Sequence, residues 1–112
     1  MTPKGGDKVY LLHILQAIEK CEQYASVGHE VFMESSVHQD AVIRQLQVMG
    51  EAVKRLSTEI RHRRPDVPWR LVAGTRDVLV HDYAGIDLQA VWKVTQDELP
   101  PLRSAVESLL TE

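Results

Sequence analysis

Val42, Leu46, Met49, Val53, Leu56 and Ile60 recur at alternating spacings of four and three. That period puts every one of them on one side of an α-helix and on no single face of a strand. Ala41, Val48 and Ala52 form a strip of smaller residues beside them. The pattern predicts a long helix over residues 36–63 with one buried stripe, and whatever else the chain does must supply helices to cover it. Gly50 interrupts it at a cost of ~1 kcal/mol relative to Ala, so another backbone is expected to approach closely there.

The same period returns on both sides of this helix. Leu11, Ile14, Leu15, Ile18, Cys21 and Ala25 share a face, which predicts a first helix over 7–25 with Asp7 as its N-cap and Ser26-Val27-Gly28-His29 as its end. Residues 1–6 read as a disordered lead, and 7–112 as one domain. Residues 30–35 are ambiguous between a short turn of helix and the start of the long one, because Val31, Phe32 and Met33 are consecutive rather than periodic. Asp66-Val67-Pro68 supplies an acidic cap and a proline for a helix over 69–83, which Gly85 ends. Asp87 caps a last helix from Leu88 to the end, and its apolar phase runs through Pro100-Pro101, so a kink or restart is expected at Pro100. No period-two run and no Asn-Gly or Asp-Gly hairpin competes. The expected architecture is all-α, an antiparallel bundle of four to five helices.

A chain of 112 residues is enough for one core. The formal charge of -3 argues against a binder of nucleic acid driven by overall charge. The average conceals a basic stretch: Lys54, Arg55, Arg61, Arg63, Arg64, Arg70 and Arg76 face only Glu59 and Asp66 between positions 54 and 76. The lone Cys21 has no partner for an intramolecular disulfide and reads as a small core residue. MTPKGGDKVY lacks the apolar run of a signal peptide, and no segment reaches the ~20 apolar residues of a membrane span, which predicts a cytoplasmic protein.

The 69–83 helix carries the chemistry. Trp69, Val72, Arg76, Leu79 and Tyr83 fall on one face, with Leu71 and Val78 nearly opposite. A helix apolar on two sides must be covered on two sides, and in so small a protein a second copy is the economical cover, so a homodimer is expected with this helix at or near the interface. His81 follows Arg76 by five residues, about 7.5 Å along the axis and roughly 140° around it, near enough for a long arginine to converge with the imidazole on one ligand. Asp77, four residues before His81, is placed to fix its tautomer. An imidazole beside a guanidinium is the minimum equipment for cleaving RNA through its own 2′-hydroxyl, with no metal required. No Cys/His cluster, HExxH or Gly-rich phosphate loop supports a metal hydrolase or a nucleotide-hydrolysing enzyme.

Taken singly, these residues have ordinary structural uses. A lone histidine near a helix end commonly answers the helix dipole, an arginine on an apolar face can bridge a dimer, and a tyrosine can be a core aromatic with a wet hydroxyl. Arg61-His62-Arg63-Arg64 reads equally as a solvated helix end. His13, His29, His38 and His62 have no metal-ligand spacing and read as surface or core residues.

Arg76-Asp77-Val78-Leu79-Val80-His81-Asp82-Tyr83 resembles the R-x4-H-x-Y motif of the HepT-like ribonuclease toxins, members of the all-helical HEPN superfamily. The likeness extends to Ala41-Val42-Ile43-Arg44, to Gly50-Glu51-Ala52 with Arg55-Leu56, to Pro68-Trp69 and to Leu99-Pro100-Pro101-Leu102, and covers about residues 7–110. The resemblance implies a homodimer whose two motif helices line a shared cleft, and a metal-independent endoribonuclease that needs no cofactor. In it Arg76 and His81 would act on the scissile phosphate with Asp77 in support, and Arg61, Arg63, Arg64 and Arg70 are RNA-binding candidates. It implies a nucleotidyltransferase-fold antitoxin as partner, which would silence the toxin by transferring AMP to Tyr83. Many relatives carry Asn where this chain has Asp77, and a carboxylate there would raise the basicity of His81. The alternative function is a helical module that grips the nucleotidyltransferase or RNA without cutting.

Overall fold

The structure, a computed structural model, describes residues 5–80 and 87–111, the side chains of residues 75–80 excepted. All the regular structure among these residues is helical: α1 (Gly5–Ala25), α2 (His29–Glu34), α3 (Ser36–Lys54), α4 (Thr58–His62), α5 (Trp69–Val80), α6 (Leu88–Lys93), a π-helical turn over Val94–Glu98, and α7 (Leu99–Thr111). The all-α expectation holds. No helix among the described residues is long and apolar enough to cross a membrane.

The α3 stripe is the centre of the core. Val42, Leu46, Met49 and Val53 are buried together with Leu11, Ile14 and Ile18 of α1, Val91 of α6, and Leu99, Val106 and Leu109 of α7. α1 packs along α3, α3 along α5, and α1 along α7. Arg103 of α7 reaches across to Glu19 and Glu22 of α1, and pairs with Glu107 on its own helix.

The long helix expected over 36–63 is two helices. Its apolar phase does continue, with Leu56 and Ile60 buried like Val53, but the backbone turns at Arg55-Leu56 and restarts at Ser57. The Ser57 hydroxyl accepts from Ile60 N–H at 3.1 Å, an N-cap in mid-stripe. Asp7 explains why the break is held. It lies inside the first turn of α1, not at its cap, and only 7% of it is exposed. Its carboxylate accepts from Ser57 N–H at 2.8 Å and from Ser57 Oγ at 2.7 Å. The residue expected to cap α1 therefore braces the start of α4, fifty positions away. α1 itself begins at Gly5, within the stretch expected to be a lead.

Residues 30–34 belong to a helix of their own, and Ser35 separates it from α3. Gly28 adopts φ +92°, a left-handed conformation that turns the chain out of α1, with Gly28 N–H bonded to Ala25 O and Phe32 N–H to Gly28 O. Phe32 is fully buried and lies 5.3 Å from the Trp92 ring, while His29 meets the same indole edge-on at 5.4 Å. Consecutive apolar residues thus mark a short helix docked by one aromatic. Ser35 then caps α3 through His38 N–H.

The last helix restarts at Leu99, one residue ahead of Pro100-Pro101, where a kink or restart is expected. The Val94–Glu98 segment widens to a π turn, in which Leu99 N–H reaches back to Val94 O. Both prolines fall in the first turn of α7, where a helix does not need their N–H groups. Asp87 caps α6 as expected, accepting from Ala90 N–H at 3.1 Å.

Candidate functional site

The motif helix is positioned by its first residue. Trp69 is 6% exposed, and its indole N–H donates to both Arg61 O at 3.1 Å and Arg64 O at 3.0 Å. One side chain thereby satisfies two carbonyls at the end of α4 and fixes where α5 starts. Val72 N–H bonds to Pro68 O, so Pro68 occupies the entry to the helix. Asp66 is not the cap expected there. Its exposed carboxylate is held by Arg64, Nε to Oδ1 at 2.9 Å and Nη2 to Oδ2 at 2.7 Å, and this two-pronged hydrogen bond holds its pKa below the usual 3.8.

Magnitudes decide which contact matters. Truncating a buried tryptophan costs ~3–5 kcal/mol, whereas an exposed ion pair is worth ~0–1 kcal/mol. Trp69, not the Arg64–Asp66 clasp, sets the register of the motif helix.

Arg76 and Asp77 lie on the backbone of α5, in its second half. Their side chains lie outside the described residues, as do His81, Tyr83 and the expected stop at Gly85. What the described residues define is the platform that carries them. α5 packs on α3, and Trp69 and Ala73 face the core. Leu71, on the other side, is 72% exposed. It lines an apolar trough of about 580 Å³ between α5 and the α6–α7 segment, with Val67, Pro68, Val94 and Pro101 among its walls.

Three of the four expected RNA-binding arginines make local contacts within the protein. Arg61 folds back so that Nη2 donates to Leu56 O at 3.1 Å, closing the α3–α4 turn, and its Nε is buried. Arg63 pairs with Glu59 at 3.2 Å, and Arg64 with Asp66. Arg70 is exposed and borders the trough. Three of the four thus contribute to the α4 corner, a role that charge counting along the sequence does not reveal.

A second depression, of about 380 Å³, lies between α1 and α3 and is lined by Tyr10, His13, Arg44, Gln47, Glu51 and Arg55 among others. Its polar lining belongs to none of the apolar stripes of the sequence. The signal was present in the 44, 47, 51 and 55 spacing, which places Arg44, Gln47 and Glu51 on a second face of α3 and Arg55 at its C-cap. Among the described residues, no group of three or more His, Cys, Asp or Glu is arranged to hold a metal ion. His29 accepts or donates at 2.8 Å to Gln89, and His38 to Ser35 at 2.6 Å, so both serve packing.

The family model for Ribonuclease HepT-like proteins matches residues 14–109. A Caldanaerobacter subterraneus protein named as a candidate RNase is 38% identical over 102 residues, 90% of this chain and 91% of its own. The probable ribonuclease HepT of Thermococcus cleftensis is 36% identical over 107 residues, 95% of this chain and 97% of its own. A longer Methanocaldococcus jannaschii protein, named as a gamma-glutamylcyclotransferase and candidate RNase, is 39% identical over 106 residues; the chain spans 94% of itself there and about half, 48%, of that relative. No solved structure matches the chain.

Proposed function

Because the chain belongs to the HepT-like ribonuclease family, we propose that it is an endoribonuclease that cuts RNA without a metal, using Arg76 and His81. The observation that carries the proposal is the Arg76-x4-His81-x-Tyr83 sequence falling within the span of the family match, with Arg76 on a helix whose start is fixed by Trp69. In the reaction a 2′-hydroxyl loses its proton and its oxygen bonds to the adjacent phosphorus. The P–O5′ bond breaks, and the leaving oxygen takes up a proton. His81 serves as general base or general acid, while the Arg76 guanidinium stabilises the charge that gathers on the phosphoryl oxygens. Asp77 supports His81 by orienting the imidazole and raising its basicity.

The active unit in this reading is a homodimer with α5 at its seam. The exposed Leu71 and the apolar trough beside it support that placement. The physiological setting is a toxin-antitoxin pair in the cytoplasm. A nucleotidyltransferase-fold antitoxin would transfer AMP to Tyr83, with the tyrosyl oxygen attacking the α-phosphorus of ATP and pyrophosphate leaving. Adenylylation adds negative charge and bulk where an RNA phosphate has to sit, so it switches the enzyme off by repulsion and occlusion. A second reading, a binding module that holds RNA or the nucleotidyltransferase without cutting, draws support from the net charge of -3.

Incubating the protein, shown by intact mass to carry no adenylate, with tRNA and total RNA in EDTA separates the two. The expected result is cleavage by the wild type and a loss of at least ~100-fold in both Arg76→Ala and His81→Ala, the scale of removing an acid-base or charge-stabilising group. Full activity in His81→Ala would remove it from the chemistry, and no cleavage of either substrate would leave the binding module.

A further inference from the structure

We infer that the groove between α1 and α3 is a binding site for single-stranded RNA, in which Tyr10 stacks on a base while Arg44 and Arg55 hold phosphates on either side of it. The proposal rests on the ribonuclease reading for the identity of the ligand, and on the groove's own geometry for its place.

The groove is built from two short registers. On α3, Arg44, Gln47, Glu51 and Arg55 succeed one another at spacings of three and four, forming a polar stripe separate from the buried stripe of Val42, Leu46, Met49 and Val53. On α1, Tyr10 and His13 stand one turn apart with their rings edge-to-face at 6.1 Å and 80°. Tyr10 is half-buried, so its ring is a fixed surface and not a swinging arm. The volume, about 380 Å³, falls within the ~300–1,000 Å³ of pockets that take small organic groups.

Three features point to a nucleic-acid strand and not to a simple anion. Arg44 and Arg55 are eleven residues apart, roughly 16 Å of helix, which suits two phosphates of one strand. Both are exposed, and no ion pair or side-chain hydrogen bond among the described residues engages either guanidinium, unlike Arg61, Arg63, Arg64 and Arg103. Between them lie Gln47, an amide able to donate as well as accept, and Glu51, a carboxylate that repels a phosphate and accepts N–H donors. They match the donor edge of an unpaired base, and a carboxylate has acceptor capacity for more than one donor. The order along α3 is cation, acceptor, cation. With an aromatic face opposite, that is the arrangement by which single strands are held through phosphate contacts and base stacking. A duplex keeps its bases stacked on one another and offers none to Tyr10.

The test uses a single-stranded RNA oligonucleotide in two forms. The fully 2′-O-methylated form cannot be cut through its own hydroxyl and reports binding by fluorescence anisotropy; the unmethylated form reports cleavage. In Arg44→Gln/Arg55→Gln the slope of log affinity against log salt is expected to shrink by about 1.4, two contacts at ~0.7 each, and KM for cleavage to rise. Tyr10→Leu, which keeps an apolar body, is expected to weaken binding roughly tenfold through lost stacking. Lys20→Gln/Lys93→Gln removes the same charge from exposed positions off the groove and is expected to leave binding and cleavage as they are.

Wild-type affinity and salt slope in the groove variants, with cleavage intact, would overturn the groove and leave the ribonuclease reading standing. Binding that depends on the groove in a protein that cuts nothing would do the reverse. Absence of binding by the wild type would overturn the groove outright. So would a change of sedimentation mass in the groove variants, which would make it a contact between protein chains.

Discussion

The Cys21 thiol lies 1% exposed between α1 and α3, its hydrogen directed at Val42 O, 3.8 Å away. Burial, reinforced by the neighbouring Glu22 charge, pushes its pKa up from 9.0 to about 12. A thiol that is neither ionised nor reachable does no chemistry. In native protein near pH 8, alkylation by a maleimide should proceed only at the rate of unfolding, and immediately once denaturant is added; rapid labelling of the folded chain would contradict this. The pH sign follows from the same shift. Between 9.0 and about 12 only the unfolded chain releases the Cys21 proton, so this group lowers stability as pH rises through that window. Its role as a small core residue was legible from its place on the Leu11–Ala25 face. The role of Asp7 was not, because its partner Ser57 is brought to it only by tertiary structure; those of Asp66 and Arg61 were not, because each turns to a local partner, Arg64 and the Leu56 carbonyl, that only the conformation of the turn selects.

At the scale of elements, the apolar period identified which side of each helix is buried and missed where one helix becomes two. Leu56 and Ile60 continue the α3 stripe whether or not the backbone turns at Ser57, because burial reports side chains and not hydrogen bonds. The break is a property of Asp7 and Ser57 acting together. Asp7→Ala leaves the part-buried Ser57 N–H without its acceptor, which should cost ~1–3 kcal/mol in chemical denaturation. Asp7→Ala and Ser57→Ala should be non-additive, with a coupling of at least ~0.5 kcal/mol. A change within ~0.3 kcal/mol for Asp7→Ala would mean that α4 is held by packing alone. The prolines teach the complementary lesson. Pro100 marks a kink or restart because it lacks a donor, and α7 does begin at Leu99: a π turn ahead of the prolines delivers both to its first turn, where no donor is missed.

For the whole molecule, three long helices, α1, α3 and α7, make a scaffold against which α5 is laid, with Trp69 locking its near end to α4. The fold class and the motif were both legible in the sequence, the first because the core is periodic and the second because Arg76, His81 and Tyr83 lie close together along the chain. The α1–α3 groove was not, since Tyr10, His13, Arg44 and Arg55 meet only when the helices pack. The central claim is that this scaffold presents a histidine and an arginine for metal-free cleavage by the RNA's own 2′-hydroxyl. The measurement that bears on it most directly is the chemistry of the cut ends, read by mass spectrometry on RNA digested in EDTA. The account predicts 2′,3′-cyclic phosphate and 5′-hydroxyl termini; 3′-hydroxyl and 5′-phosphate termini would require water as the nucleophile and would contradict it.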